Sequence, residues 1–130
     1  MSYLLDSDVL IDFLKKKEPG YSLISSIIGK KLFISVISWA EIQYGIRKSM
    51  NVSDKNIEFT NFIKEFEINT LSVTQDIASK YVELRIGLEK KGQKIADFDL
   101  LIAATAITKN LQLVTRNVRH FSRIPGLKIV

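Results

Sequence analysis

The sequence predicts an α/β fold: a three-layer α/β/α arrangement around a mainly parallel five-stranded sheet, formed by one domain over residues 1–130. Short apolar runs alternate along the chain with longer stretches whose apolar residues recur every three or four positions, the signature of strands separated by helices. The 130 residues lie within the usual size of one domain. Hydrophobic residues at 46% and charged residues at 25% give the balance of a chain that folds around its own core.

The predicted strands are Tyr3 to Asp6, Leu32 to Ser35, Ile68 to Val73, Leu111 to Thr115 and Leu127 to Val130. A helix follows the first strand, and Pro19-Gly20 divides that helical region in two. Residues 21 to 29 and 54 to 67 read as amphipathic helices, separated from each other by the second strand, a helix and the polar loop 51 to 54. Ile77, Tyr81, Leu84 and Leu88 mark a helix that starts near Thr74 and stops at Gly92. A last helix spans Phe98 to Lys109. In a parallel sheet of this kind, function gathers where the strands end at their carboxyl edge.

Several chemistries are excluded at once. The chain has no cysteine, so it has no disulfide, thiolate metal site or cysteine nucleophile. The segment MSYLLDSDVLIDF has no basic leader and sets three carboxylates among its apolar residues, unlike a secretory signal. No run is long enough to span a membrane, and a soluble, cytoplasmic protein is expected. Nineteen Lys and Arg against 14 Asp and Glu give a formal charge of +5, which favours a polyanionic partner.

Each acid near a strand end has an ordinary structural explanation. Asp6 and the following Ser7 suit a helix N-cap. Ser38-Trp39-Ala40-Glu41 matches a capping box, with Glu41 reaching back to the cap. Asp97 is placed to cap the last helix, and Asp99 suits its positive end. Capping does not require these carboxylates to converge, yet the carboxyl edge of a parallel sheet collects them. Clustered carboxylates repel one another, and oxygen donors are what Mg²⁺ or Mn²⁺ requires.

Three segments, YLLDSDVLIDFL, ISVISWAEIQYGIRKS and KIADFDLLIAATAITKNLQLVTRNVRHFSRIPGL, resemble the PIN-domain ribonucleases, and among them the VapC-type toxins of type II toxin–antitoxin pairs. The resemblance covers nearly the whole chain. It implies a PIN-like fold and places the core acids at Asp6, Glu41 and Asp99, with the fourth family position at Asn117, an amide where relatives often carry an acid. Asp8 and Asp97 are auxiliary positions, and Asp97 joins the metal-binding set only if it precedes the helix. The implied activity is Mg²⁺- or Mn²⁺-dependent cleavage of RNA, with one ion or a pair roughly 4 Å apart. The implied partners are an RNA substrate, a cognate antitoxin protein and a second copy in a homodimer.

Around this core, Ser7 and Thr115 are placed to hydrogen-bond the acids, and Arg116 and Arg119 to contact phosphate. Arg47, Lys48 and Arg119 border the groove expected of a dimer. Trp39 and Tyr44 flank Glu41 as candidate stacking residues, with packing the plainer role for Trp39. His120, beside Phe121, reads as structural. Two other functions fit parts of the pattern. A haloacid-dehalogenase-like phosphatase also opens on a strand followed by D-x-D-x-V, but needs a later lysine and an acidic pair on a strand. A catalytically inactive RNA- or protein-binding PIN module is compatible with Asn117 and the modest net charge, but such modules usually lack several of the acids and this chain keeps Asp6, Glu41 and Asp99.

Overall fold

The computed structural model describes all residues, 1–130. In chain order the elements are β1 (Ser2–Leu5), α1 (Ser7–Leu14), α2 (Gly20–Ser25), β2 (Lys31–Ser35), α3 (Val36–Arg47), α4 (Val52–Glu65), β3 (Asn69–Leu71), α5 (Gln75–Lys90), α6 (Asp97–Lys109), β4 (Gln112–Val114) and α7 (Val118–Phe121). All strand pairs are parallel, in the order β3-β2-β1-β4. The chain therefore builds outward from β1 on one side and returns to its other side with β4. That reversal opens a crevice between the carboxyl ends of β1 and β4.

The sheet has four strands where five were expected. Residues 127 to 130 do run beside β4, with Leu113 N–H donating to Lys128 O at 2.8 Å and Val130 N–H donating to Leu113 O at 3.0 Å. These bonds make a single parallel bridge, Leu113 to Ile129. No ladder extends from it, because β4 is only three residues long and the chain bends at Arg116.

Alternation along the strands divides the interior in two. Leu4, Phe33 and Leu113 face α5 and α6, while Leu5, Leu32, Ile34 and Val114 face the layer of α1 to α4. The first core is filled by Ile77, Leu84, Leu88, Leu100 and Phe121, the second by Val9, Ile24, Ile42, Phe59 and Phe62. Ala103, Ala104 and Ala106 let α6 approach its neighbours closely and are fully buried. Helix α5 ends as Gly92 predicts: at φ 69° its N–H donates to Glu89 O, and Gln93 N–H closes on Leu88 O.

Two caps differ from expectation. Ser35, not Ser38, caps α3, its Oγ accepting from Ile37 N–H at 3.1 Å. Glu41 consequently lies in the second turn, out of reach of a capping box. Asp97 is the first residue of α6 and Ala96 occupies the cap position.

Candidate active site

Asp6 occupies the crevice at the end of β1. Its backbone N–H continues the β1–β4 ladder by donating to Val114 O at 2.9 Å. Its side chain is almost fully buried and caps α1, with Oδ1 accepting from Ser7 N–H at 2.9 Å and Oδ2 from the Thr115 hydroxyl at 2.8 Å. Burial, then the nearby Asp8, pushes the Asp6 carboxyl up to about 7, with Asp99 adding to the rise and the two hydrogen bonds opposing it. Asp8, two residues further, is raised by burial against the hydrogen bonds from Arg116 and Val9.

Glu41 enters from α3. Ser7 Oγ donates to its Oε1 at 3.1 Å, so Ser7 links the Asp6 turn to the Glu41 side chain. Burial raises Glu41, the Ser7 bond opposes the rise, and the charges of Asp99 and Asp8 add to it. Asp99, in the first turn of α6, is held through Oδ2 by His120 Nε2 at 3.1 Å. Arg123 reaches His120 Nδ1 at 3.0 Å. An arginine has only donors to offer, so Nδ1 is the acceptor and Nε2 carries the proton directed at Asp99.

The structure thus brings Asp6, Asp8, Glu41 and Asp99 within electrostatic reach of one another. It sends Asp97 elsewhere: the exposed carboxylate accepts from Tyr81 Oη at 2.7 Å and pairs with Arg85 at 3.4 Å. That follows from its place inside α6, where residues two apart point to different faces. Asn117 sits on the exposed turn after β4, and its N–H donates to Thr115 Oγ1 at 3.1 Å. Its side-chain amide takes no part in capping α7. Trp39 and Tyr44 are both exposed on α3, at 38% and 65%, so Trp39 is not buried in packing.

Thr115 is the joint of this arrangement. It is buried, its hydroxyl serves Asp6 and lies 3.3 Å from Asp8, and it accepts from Asn117. Thr115→Val is expected to destabilise the protein by about 1–3 kcal/mol, the usual effect of orphaning a buried polar group. The loss should be larger at pH 8 than at pH 5, because the missing donor stabilised ionised Asp6. Melting curves at the two pH values check this, and equal losses would count against the assigned bond.

Sequence reasoning overlooked two contacts. His120 touches Asp99 instead of serving only the local turn, and Asp12, buried on α1, pairs with Arg116 Nη1 at 3.1 Å. The available signal for Asp12 was its spacing of four from Asp8, which puts both acids on one face of a helix.

Comparison with known proteins accords with this architecture. A PIN domain is matched over residues 3–127. The Ribonuclease VapC2 of Rickettsia felis is 36% identical over 129 residues, covering 98% of this chain and 95% of that protein. The tRNA(fMet)-specific endonuclease VapC of Salmonella typhimurium is 29% identical, covering 99% and 96%. The crystal structure of VapBC2 from Rickettsia felis, bound to a DNA fragment from their promoter, superposes with a TM-score of 0.89 at 32% identity, covering 100% of this chain and 98% of the other. With its four-stranded parallel sheet, its acids gathered at the β1–β4 crevice and this match along almost its full length, the chain belongs to the PIN-domain family, among the relatives of the VapC ribonucleases.

Proposed function

We propose that this chain is a divalent-metal-dependent endoribonuclease, the toxin of a toxin–antitoxin pair, acting in the cytoplasm as a single-domain protomer of a homodimer. The observation that carries the proposal is the meeting of Asp6, Asp8, Glu41 and Asp99 at the switch point of the sheet, with Asp6, Asp8 and Glu41 raised by burial and Asp6 and Glu41 further by the neighbouring acids. The printed names of the relatives, a ribonuclease and a tRNA endonuclease, support RNA as substrate, and the VapBC assembly supports an antitoxin partner. No helix is long and apolar enough to cross a membrane.

The donor set fits a hard cation. All the donors are carboxylate oxygens, and no lysine or arginine neutralises Asp6, Glu41 or Asp99. No three acids stand close enough to form a closed cage by themselves. A Mg²⁺ or Mn²⁺ ion in a nuclease takes one or two carboxylates and completes its shell with water and substrate phosphate. Asp6, Glu41 and Asp99 would hold it, with Asp8 nearby; Asp97 is left out because Tyr81 and Arg85 engage it. When bound, the ion supplies Lewis-acid stabilisation of the phosphoryl group and an activated water.

The protein's own residues set the stage for that chemistry. Ser7 N–H and Thr115 Oγ fix the plane of the Asp6 carboxylate, and Ser7 Oγ and His120 Nε2 hold Glu41 and Asp99. Oriented carboxylates meet the charge with little reorganisation. Asn117 offers an uncharged amide at the mouth of the crevice, suited to a hydrogen bond with substrate. Asp6 is poorly placed to act as a phosphatase nucleophile, since it is 6% exposed and both its oxygens already accept hydrogen bonds.

Purified protein is expected to cut single-stranded RNA with Mg²⁺ or Mn²⁺, to stop on addition of EDTA, and to recover when the metal is restored in excess. Cleavage that persists in EDTA through repurification would overturn the proposal.

A further inference from the structure

The acid group leaves one buried carboxylate unexplained. Asp12 lies on α1 one turn beyond Asp8 and is 3% exposed. An ionised carboxylate so placed persists only when it is fully paired. Gly20 N–H donates to Asp12 Oδ2 at 3.1 Å, and Arg116 Nη1 donates to Asp12 Oδ1 at 3.1 Å. Gly20 opens α2, and a Cβ at that position would collide with the Cβ of Asp12. The close approach of the α2 backbone to Asp12 therefore depends on glycine.

Arg116 is tied to α1 at both ends. Its backbone N–H donates to Asp8 Oδ2 at 3.2 Å, and its Nε lies 3.9 Å from the same oxygen. It directly follows Thr115, whose hydroxyl holds Asp6. The side chain is nevertheless 47% exposed, although its Nη1 is held on buried Asp12 at the rim of the acid group. An arginine serving only to neutralise Asp12 has no need of that exposure. A planar guanidinium fixed along one edge is a preorganised receptor for a phosphate oxygen.

We propose that Asp12 is a positioning residue that, with Gly20 behind it, holds the Arg116 guanidinium beside the acid group as the anchor for a backbone phosphate of the bound RNA. This rests on the ribonuclease function proposed above. Asp8 fixes the Arg116 backbone and Asp12 directs its side chain, so the two acids of one α1 face hold a cation along α1 beside Asp8. The anchored phosphate is a neighbour of the one being cut, since the acids and their metal claim the latter.

The sign of one substitution separates positioning from simple charge. Asp12→Asn raises the net charge by one unit, and long-range attraction alone would then tighten RNA binding. Loss of positioning predicts weaker binding instead, by about three- to tenfold. The measurement is equilibrium binding of a single-stranded 2′-O-methyl RNA in EDTA across a salt series, for the unaltered chain, Asp12→Asn, Arg116→Gln, Arg116→Lys and the Asp12→Asn/Arg116→Gln pair, with melting curves for each. Arg116→Gln is expected to weaken binding and to reduce the slope of log affinity against log salt by about 0.7, the value of one phosphate contact on a single strand. Arg116→Lys should keep the slope and lose affinity. The double variant should match Arg116→Gln, because Asp12 acts only through Arg116.

A folded Asp12→Asn protein that binds RNA as tightly as the unaltered chain, or more tightly, overturns the proposal. If Asp12→Asn does not fold, the Arg116 variants decide, and an unchanged slope in Arg116→Gln overturns it. Metal-dependent cleavage by the unaltered chain is scored in parallel. Its absence overturns the ribonuclease function itself, whereas its presence with unaffected binding by the variants overturns only the anchor.

Discussion

In EDTA at pH 8, the Asp6→Asn protein is expected to melt above the unaltered chain, and with metal restored it should cut RNA at no measurable rate. Asp6 binds its proton with a pKa of about 7 in the folded protein against an ordinary 3.8. Below about pH 4 both states are protonated and the group contributes nothing. As pH rises from there toward 7, the unfolded chain gives up its proton while the folded chain keeps it, so stability falls. Above 7 the full penalty applies, about 4 kcal/mol for a shift of roughly three units. Asparagine removes that penalty but turns one of the two acceptors into a donor facing Thr115 or Ser7. A net gain of about 2 kcal/mol, or ~5–10 °C, is the expected balance. At pH 5 the difference should shrink toward zero. Mg²⁺ should raise the melting temperature of the unaltered chain and leave that of Asp6→Asn nearly unchanged, since only a site that binds the ion gains stability from it. A variant that melts lower than the unaltered chain at pH 8 would mean that Asp6 is not a buried, repelled carboxylate.

Glu41→Gln and Asp99→Asn should each lower the cleavage rate by about 10²–10³-fold, while Asn117→Ala stays within about tenfold. A carboxylate that balances a divalent cation contributes several kcal/mol to stabilising a phosphoryl transition state, and each 1.4 kcal/mol is a factor of ten. An amide of the same shape keeps the hydrogen bond from Ser7 or His120 but not the charge. Position 117 has no charge to lose. Rates on a defined single-stranded RNA at saturating Mg²⁺ check the ranking, and growth on induction provides a second readout: arrest with the unaltered chain, relief with the two acid variants. An Asp99→Asn protein that still arrests growth, beside an inert Asn117→Ala protein, would reverse the assignment.

The fold was largely legible because its signals are local and repeated. Strand β1 and helix α5 follow directly from apolar spacing, and the stop at Gly92 follows from a positive φ that glycine accommodates. The fifth strand was misread because residues 127 to 130 have strand-like composition, while the number of rungs depends on β4, which ends at Val114 just before the bend at Arg116. The cap of α3 was misplaced by three residues because Ser35 and Ser38 are equally good caps in isolation, and only the exit of β2 chooses between them. At the site, the approach of Asp6, Glu41 and Asp99 could be expected from strand ends. The diversion of Asp97 could not, since it depends on Tyr81 and Arg85, more than a helical turn away on another element. Asp12 was hidden for a similar reason. Its spacing from Asp8 shows only that the two share a helix face, while its charged partner Arg116 lies 104 residues along the chain and its other contact is a backbone N–H, neither of which periodicity reveals.

The hydrogen bond from Thr115 to Asp6 joins residues 109 positions apart. A chain emerging from a ribosome at about 5–20 residues per second therefore carries Asp6 for roughly 5–20 s before its hydroxyl partner has even been made. During that interval β1 has no β4 beside it, and the crevice has only one wall. A partly synthesised molecule cannot assemble the full set of contacts around Asp6, so the acid group is completed only after nearly the whole chain has been made.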